Sequence, residues 1–300
     1  MIVENPYADA IAALPVREGT VPILGSRTRY WDYGPLDAPT TMIAVHGFRG
    51  EHHGLEPVVA QLHGIRVISP DLPSFGDSTP MTEAEHSVDG YVKWLGEFVD
   101  ALGLPERPVI LGHSFGSIVV AAAVAGGLAT PALILVNPIA APALKGPKAF
   151  VSGLTGFYYW LGAALPKRIG YSLLGSKLIT NFVTQQMAVT HDPVLRRWIN
   201  YQHTIYFSRF ADRDTLLEAF RASTAHWVAE YAKDIRVPTL LIAAEQDQIT
   251  KVADEEKLAS LLPDAELHVI PGVGHLIHYE KPVEAAQLIM QFVSDRVATR

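Results

Sequence analysis

The segment Val109-Ile110-Leu111-Gly112-His113-Ser114-Phe115-Gly116-Ser117 constrains this chain most. A β-branched-rich apolar run ends at Leu111, and a long run of small apolar residues, Ile118 to Leu128, follows. Strand, sharp turn, helix is the natural reading of that order. The turn lifts a serine to the tip of a strand between two glycines, the G-x-S-x-G pattern of a nucleophile elbow. Gly112 and Gly116 are small because strand and helix approach closely around a strained turn, where a Cβ would clash.

The flanking sequence supplies a sheet for that strand. Thr20 to Leu24 and Arg27 to Tyr33 alternate as two short strands around a Gly25-Ser26 turn. Thr41 to Val45 reads as a buried strand running into the loop His46-Gly47-Phe48-Arg49-Gly50. Leu55 to Leu62 reads as a helix, Arg66 to Ser69 as a strand, and Asp71 to Ser78 as a long loop. Ser87 to Leu102 carries apolar residues at helical spacing, with Gly103 placed to end it. Ala132 to Val136 is a further strand, ending at Asn137-Pro138.

From Ile139 to about Arg236 the signals are helical, with no convincing strand. Alternation resumes with Thr239 to Ala243 (strand), Asp254 to Leu262 (helix), Glu266 to Ile270 (strand) and Pro282 to Val297 (helix). The expected fold class is therefore α/β, a mostly parallel sheet flanked by helices, with an inserted all-helical cap or lid. Residues 1–138 and 236–300 form the core and residues 139–235 the insertion. In open parallel sheets the ligand crevice lies at the carboxyl ends of the strands, so the insertion is expected over that crevice.

A serine hydroxyl is a weak nucleophile at neutral pH and needs a base within reach and a group to orient that base. His275 and Asp247 both lie in loops after later strands, on the edge that carries Ser114. Asp71 and Glu245 are the alternative acids. The chain order Ser, Asp, His then suits acyl transfer. An oxyanion needs donors as well. The backbone N–H of Phe115 opens a helix whose dipole favours negative charge, and that of Phe48, after His46-Gly47, is placed for the second.

Composition removes competing classes. The chain has 300 residues, net charge −7 and no basic run longer than two residues, which argues against nucleic acid as a partner. With no cysteine it has no disulfide, thiolate metal site or cysteine nucleophile. His46, His52 and His53 match no helical ligand pair, so neither metal nor cofactor is expected. His113 is expected to point back into the fold. The first ten residues lack a basic stretch and an apolar core, so cytoplasm is the expected location. Ala149 to Pro166 carries no charge and brushes the length of about 18 residues that a span needs. Its glycines and its mid-sheet position make it instead a lid helix lining an apolar pocket, or a patch that makes transient contact with lipid.

These motifs together resemble the α/β-hydrolase superfamily, in its serine-nucleophile branch with a helical cap. The resemblance rests on His46-Gly47-Phe48, the Asp71 to Ser78 loop, Gly112 to Gly116, the Asp247 loop, and Gly274-His275 with Glu280 and Pro282. It implies Ser114 as nucleophile, His275 as base, Asp247 as orienting acid, and Phe48 and Phe115 as oxyanion donors. Ser74, Ser117 and Ala244 stand where the family often has glycine. The implied activity is hydrolysis of a small or medium apolar ester. The same residues also suit C–C cleavage of vinylogous diketones, thioester hydrolysis, acyl transfer or cofactor-free perhydrolysis, and a ligand sensor with a slow triad is a third class. Arg49 is the one sequence hint toward a diketone acid.

Overall fold

The computed structural model describes residues 3–142, 149–207 and 209–297. In chain order the first part holds α1 (Ala8–Ala12), β1 (Val16–Ile23), β2 (Ser26–Tyr33), β3 (Thr40–Val45), α2 (His52–Val59), β4 (Ile65–Pro70), α3 (Val88–Ala101), β5 (Val109–His113), α4 (Phe115–Ala125) and β6 (Leu133–Val136). Helices α5 (Ala149–Ala164), α6 (Lys167–Leu174), α7 (Lys177–Met187), α8 (Pro193–Tyr206) and α9 (Arg213–Ala225) follow. The chain closes with β7 (Thr239–Ala244), α10 (Val252–Leu261), β8 (Ala265–Ile270), α11 (Ile277–Glu280) and α12 (Pro282–Arg296).

The strands form one eight-stranded sheet in the order β1-β2-β4-β3-β5-β6-β7-β8. β1 and β2 pair antiparallel, as do β2 and β4, and every later pairing is parallel. The strand pleat sends alternate apolar side chains of the central strands to opposite faces of the sheet. Ile43, Ile110, Leu135 and Leu241 join the core under α3 and α4, while Met42, Leu111, Ile134 and Ile242 join the core under α2 and α12. Buried polar side chains within the strands, such as Thr28 and Ser69, are tied up in hydrogen bonds of their own, and the polar groups of the candidate site gather where the strands end.

Local caps set the helix limits. The Ser87 side chain accepts from the Gly90 N–H at the start of α3, and Gly103 just beyond its end adopts a φ of 57°. Asp192 and Asp212 cap α8 and α9 in the same way. Among the described residues, those between β6 and β7 contain helices and no strand. They rest on the loops after β3 and β4: Ala211 donates to the Ser74 carbonyl at 2.9 Å and Gly76 to the Arg209 carbonyl at 3.1 Å. Among the described residues no helix is long and apolar enough to cross a membrane. The short helices α1 and α11 were not expected, since a single turn is too brief for an apolar period to register.

Candidate active site

Five loops leave the carboxyl ends of β3, β5, β6, β7 and β8 at one edge of the sheet, and their side chains meet there. Ser114 lies between β5 and α4 with φ 53° and ψ −118°, a left-handed conformation that a non-glycine residue holds only under strain. Its glycines make the elbow possible. A Cβ on Gly116 would lie 2.4 Å from the Val45 carbonyl oxygen, and one on Gly112 would lie 2.6 Å from the Gly116 carbonyl oxygen. Ser117, where a glycine is frequent in the resembling family, braces the turn. Its hydroxyl donates to the Ser114 carbonyl and accepts from the Ile139 N–H at 3.1 Å.

The Ser114 hydroxyl is 2.9 Å from Nε2 of His275, whose Nδ1 is 2.7 Å from Oδ2 of Asp247. An ionised carboxylate only accepts, so Nδ1 carries the proton and Nε2 presents its lone pair to the serine. Asp247 is saturated with donors. Oδ2 also accepts from Asn137 Nδ2 at 3.0 Å, and Oδ1 accepts from the N–H groups of Ile249 and Thr250 at 2.7 and 3.3 Å. Burial alone would push this carboxyl's pKa up. Attraction to His275, with the bonds from His275, Ile249 and Thr250, outweighs it and holds the acid below the usual range.

The alternative acids are engaged elsewhere. Asp71 is fully buried, takes the backbone N–H and Nδ1 of His52 on Oδ1 at 2.9 Å each, and takes the Asp77 N–H on Oδ2 at 2.8 Å. Glu245 accepts from the Gly272 N–H. His53 pairs with Glu51. His46 donates from Nδ1 to the Gly47 carbonyl at 2.8 Å and accepts the Leu72 N–H on Nε2 at 2.9 Å. The same Gly47 carbonyl receives the Gly50 N–H at 2.9 Å, closing the turn Gly47-Phe48-Arg49-Gly50. This turn abuts the elbow, since a Cβ on Gly47 would lie 3.0 Å from the Ser114 Cβ. The turn that carries Phe48 therefore lies against the serine, and Phe115 is the first residue of α4, at the positive end of its dipole.

His113 points back into the fold and is buried, its ring 4.3 Å from that of His278 and 5.6 Å from that of His275. Burial, then the nearby His275, pushes its pKa down to about 3, so it is neutral. On the other side of the turn the Phe48 ring meets Phe75, Tyr159 and Phe220 at 5.5 to 5.9 Å between centroids. This is an apolar aromatic wall contributed by the core and by α5 and α9.

Asn137 and Ser117 escape the sequence reading as participants, and Arg49 enters it only as a hint toward a diketone acid. Asn137 has a φ of 45° at the end of β6, and an asparagine closing a strand before a proline is the only trace it leaves. Ser117 showed only as a departure from the family pattern. Arg49, at φ 59°, sends a buried guanidinium to the carbonyls of Phe207 and Leu174 at 2.8 Å each.

Comparison with known proteins follows the same lines. The sequence profile described as the alpha/beta hydrolase family matches residues 42–288. The chain is 24% identical to Lipase 1 of Psychrobacter immobilis over 287 residues, 92% of this chain and 83% of that protein. It is 26% identical to 2-hydroxymuconate semialdehyde hydrolase of Pseudomonas putida over 238 residues, 77% of each. The structure of a thermophilic esterase from Thermogutta terrifontis superposes with a TM-score of 0.74 at 20% identity, covering 93% of this chain and 98% of that one.

Proposed function

The chain belongs to the alpha/beta hydrolase family, and from that premise we propose that it is a serine hydrolase cleaving a small or medium apolar carboxylic ester. The observation that carries this reading is the unbroken hydrogen-bond chain from Ser114 through His275 to Asp247. In this mechanism the Ser114 oxygen attacks the acyl carbonyl while His275 Nε2 takes its proton. Asp247 fixes the imidazole tautomer and stabilises the imidazolium that forms. The Phe48 and Phe115 N–H groups receive the oxyanion. His275 then protonates the leaving alcohol, and a water activated by the same nitrogen releases the acid from the acyl-enzyme.

Residues 139–235 act as a cap over a core made of residues 1–138 and 236–300. Tyr159 and Phe220, stacked at 4.3 Å beside Phe48, supply an apolar wall for the acyl group. An ester suits this wall better than a diketone acid does. The cation next to the oxyanion turn, Arg49, already spends Nε and Nη2 on two backbone carbonyls, so it is poorly placed to receive a carboxylate. A cytoplasmic location belongs to the same proposal.

The test is initial rates on p-nitrophenyl esters of increasing acyl length, with Ser114→Ala as control. Turnover that the substitution abolishes, with an optimum at short or medium chains, supports the reading. Folded protein that hydrolyses no ester at any chain length contradicts it.

A further inference from the structure

The outer surface of α5 to α7 differs from the rest of the molecule in charge and in polarity. The chain has 31 acidic residues and a net charge of −7, yet none of those acids falls between Glu106 and Asp192. Helices α5, α6 and α7 lie inside that gap, and the cations they carry are Lys167, Arg168 and Lys177, all exposed. Beside them stand large apolar side chains that a folded chain normally covers. Phe157 is 54% exposed, Trp160 50%, Ile169 55%, Phe182 64% and Leu178 82%.

Helix geometry shows that these residues look outward. On α5, Tyr159 is buried against Phe48 and Phe220, so Phe157 and Trp160 project from the opposite side, their rings 5.6 Å apart. On α7, Thr180 and Thr184 are buried, Thr184 meeting His203 of α8 at 2.8 Å, while Leu178 and Phe182 share the other side four residues apart. The inner side of α5 therefore faces Phe48 at the reaction edge and that of α7 faces α8, while their outer sides, with α6 between them in the chain, offer aromatic and aliphatic groups together with three cations.

We infer that this outer surface docks on an anionic phospholipid bilayer. Aromatic and aliphatic side chains insert at the headgroup boundary, and Lys167, Arg168 and Lys177 lie against lipid phosphates. Charge decides the occupant. A second copy of this acidic chain would bring the same cations face to face, and an uncharged apolar partner would leave them without counter-ions. The inference deepens the ester-hydrolase reading, since it makes a membrane-dissolved ester the substrate class, but binding itself requires no catalysis.

Co-flotation of Ser114→Ala protein with vesicles therefore tests docking apart from turnover. The protein is expected to float with phosphatidylglycerol–phosphatidylcholine vesicles at low salt, to be released as salt rises, and to bind pure phosphatidylcholine far more weakly. Replacing Lys167, Arg168 and Lys177 together by Glu is expected to weaken binding to the anionic vesicles at least about 100-fold. Leu178→Ser with Phe182→Ser is expected to weaken it as well, thermal melting confirming that both variants fold. Absence of flotation at low salt overturns the inference. So does equal binding by the charge-reversed variant, or a wild-type dimer in light scattering that either variant dissociates.

Discussion

The guanidinium of Arg49 donates from Nε to the carbonyl of Phe207 at 2.8 Å, although the two residues lie 158 positions apart. Nη2 reaches the carbonyl of Leu174 at the same distance, and the group lies 4.6 Å over the Phe207 ring. Both carbonyls end helices, α6 and α8, where the helix dipole is negative, so the buried cation is met by two helix C-termini rather than by a carboxylate. The residue after Phe48 thereby ties the oxyanion turn to the inserted helices. Arg49→Met should lower the stability to urea by about 3 kcal/mol, the worth of two hydrogen bonds to a charged group, and should reduce kcat more than it raises KM. A loss below about 0.5 kcal/mol would show that the tie is idle.

Asp247→Asn removes the acceptor that fixes the proton on Nδ1 of His275 while keeping the shape. The proposed mechanism predicts a fall in kcat of about 10³ to 10⁴ with KM little changed. Because the acid's pKa is lowered in the folded state, its contribution to stability is present above its unfolded value of 3.8 and is lost as pH falls. Wild type should therefore lose stability faster than the variant on acidification below that point, as urea midpoints measured across acid pH would show.

Glu255 on α10 is buried, with Oε2 unpartnered, and burial followed by the charges of Asp247 and Asp254 pushes its pKa up to about 9. The folded protein thus holds a proton that the unfolded chain releases above 4.5, and stability falls as pH rises from 4.5 toward 9. Glu255→Gln, which cannot ionise, should leave Tm unchanged near pH 4 and raise it increasingly toward pH 8. A Tm difference independent of pH would contradict the shift.

Two glycines test the packing around the elbow. Gly116→Ala places a methyl 2.4 Å from the Val45 carbonyl oxygen, a backbone atom that cannot step aside, and should cost about 4 kcal/mol or prevent folding. Gly96→Ala, inside α3 with no atom of another element within 4 Å of the new methyl, should stabilise by about 1 kcal/mol. Thermal melts of the pair separate close packing from a general sensitivity to added bulk.

These details also mark what the sequence can reveal. Ser114, Asp247 and His275 were legible because each lies in a loop after a strand, and strands of a parallel sheet deliver their following loops to one edge. Strand order and the longer core helices were legible because apolar period and turn residues are local signals, while α1, α11 and the separate limits of α5 to α9 were not. Asn137 and Arg49 were not legible in role, since each acts through a contact with residues more than a hundred positions away. The outer surface of α5 to α7 was half legible. Its lack of charge in Ala149 to Pro166 showed, but which apolar residues turn inward depends on α8 and α9.

Labelling with a fluorophosphonate, read by intact mass and peptide mapping, tests the proposed chemistry most directly, since it asks only whether Ser114 is an activated nucleophile. One adduct per chain is expected, located on Ser114, formed more slowly in Asp247→Asn and absent in Ser114→Ala. Folded wild-type protein that takes no label, or takes it on another residue, would overturn Ser114 as the nucleophile.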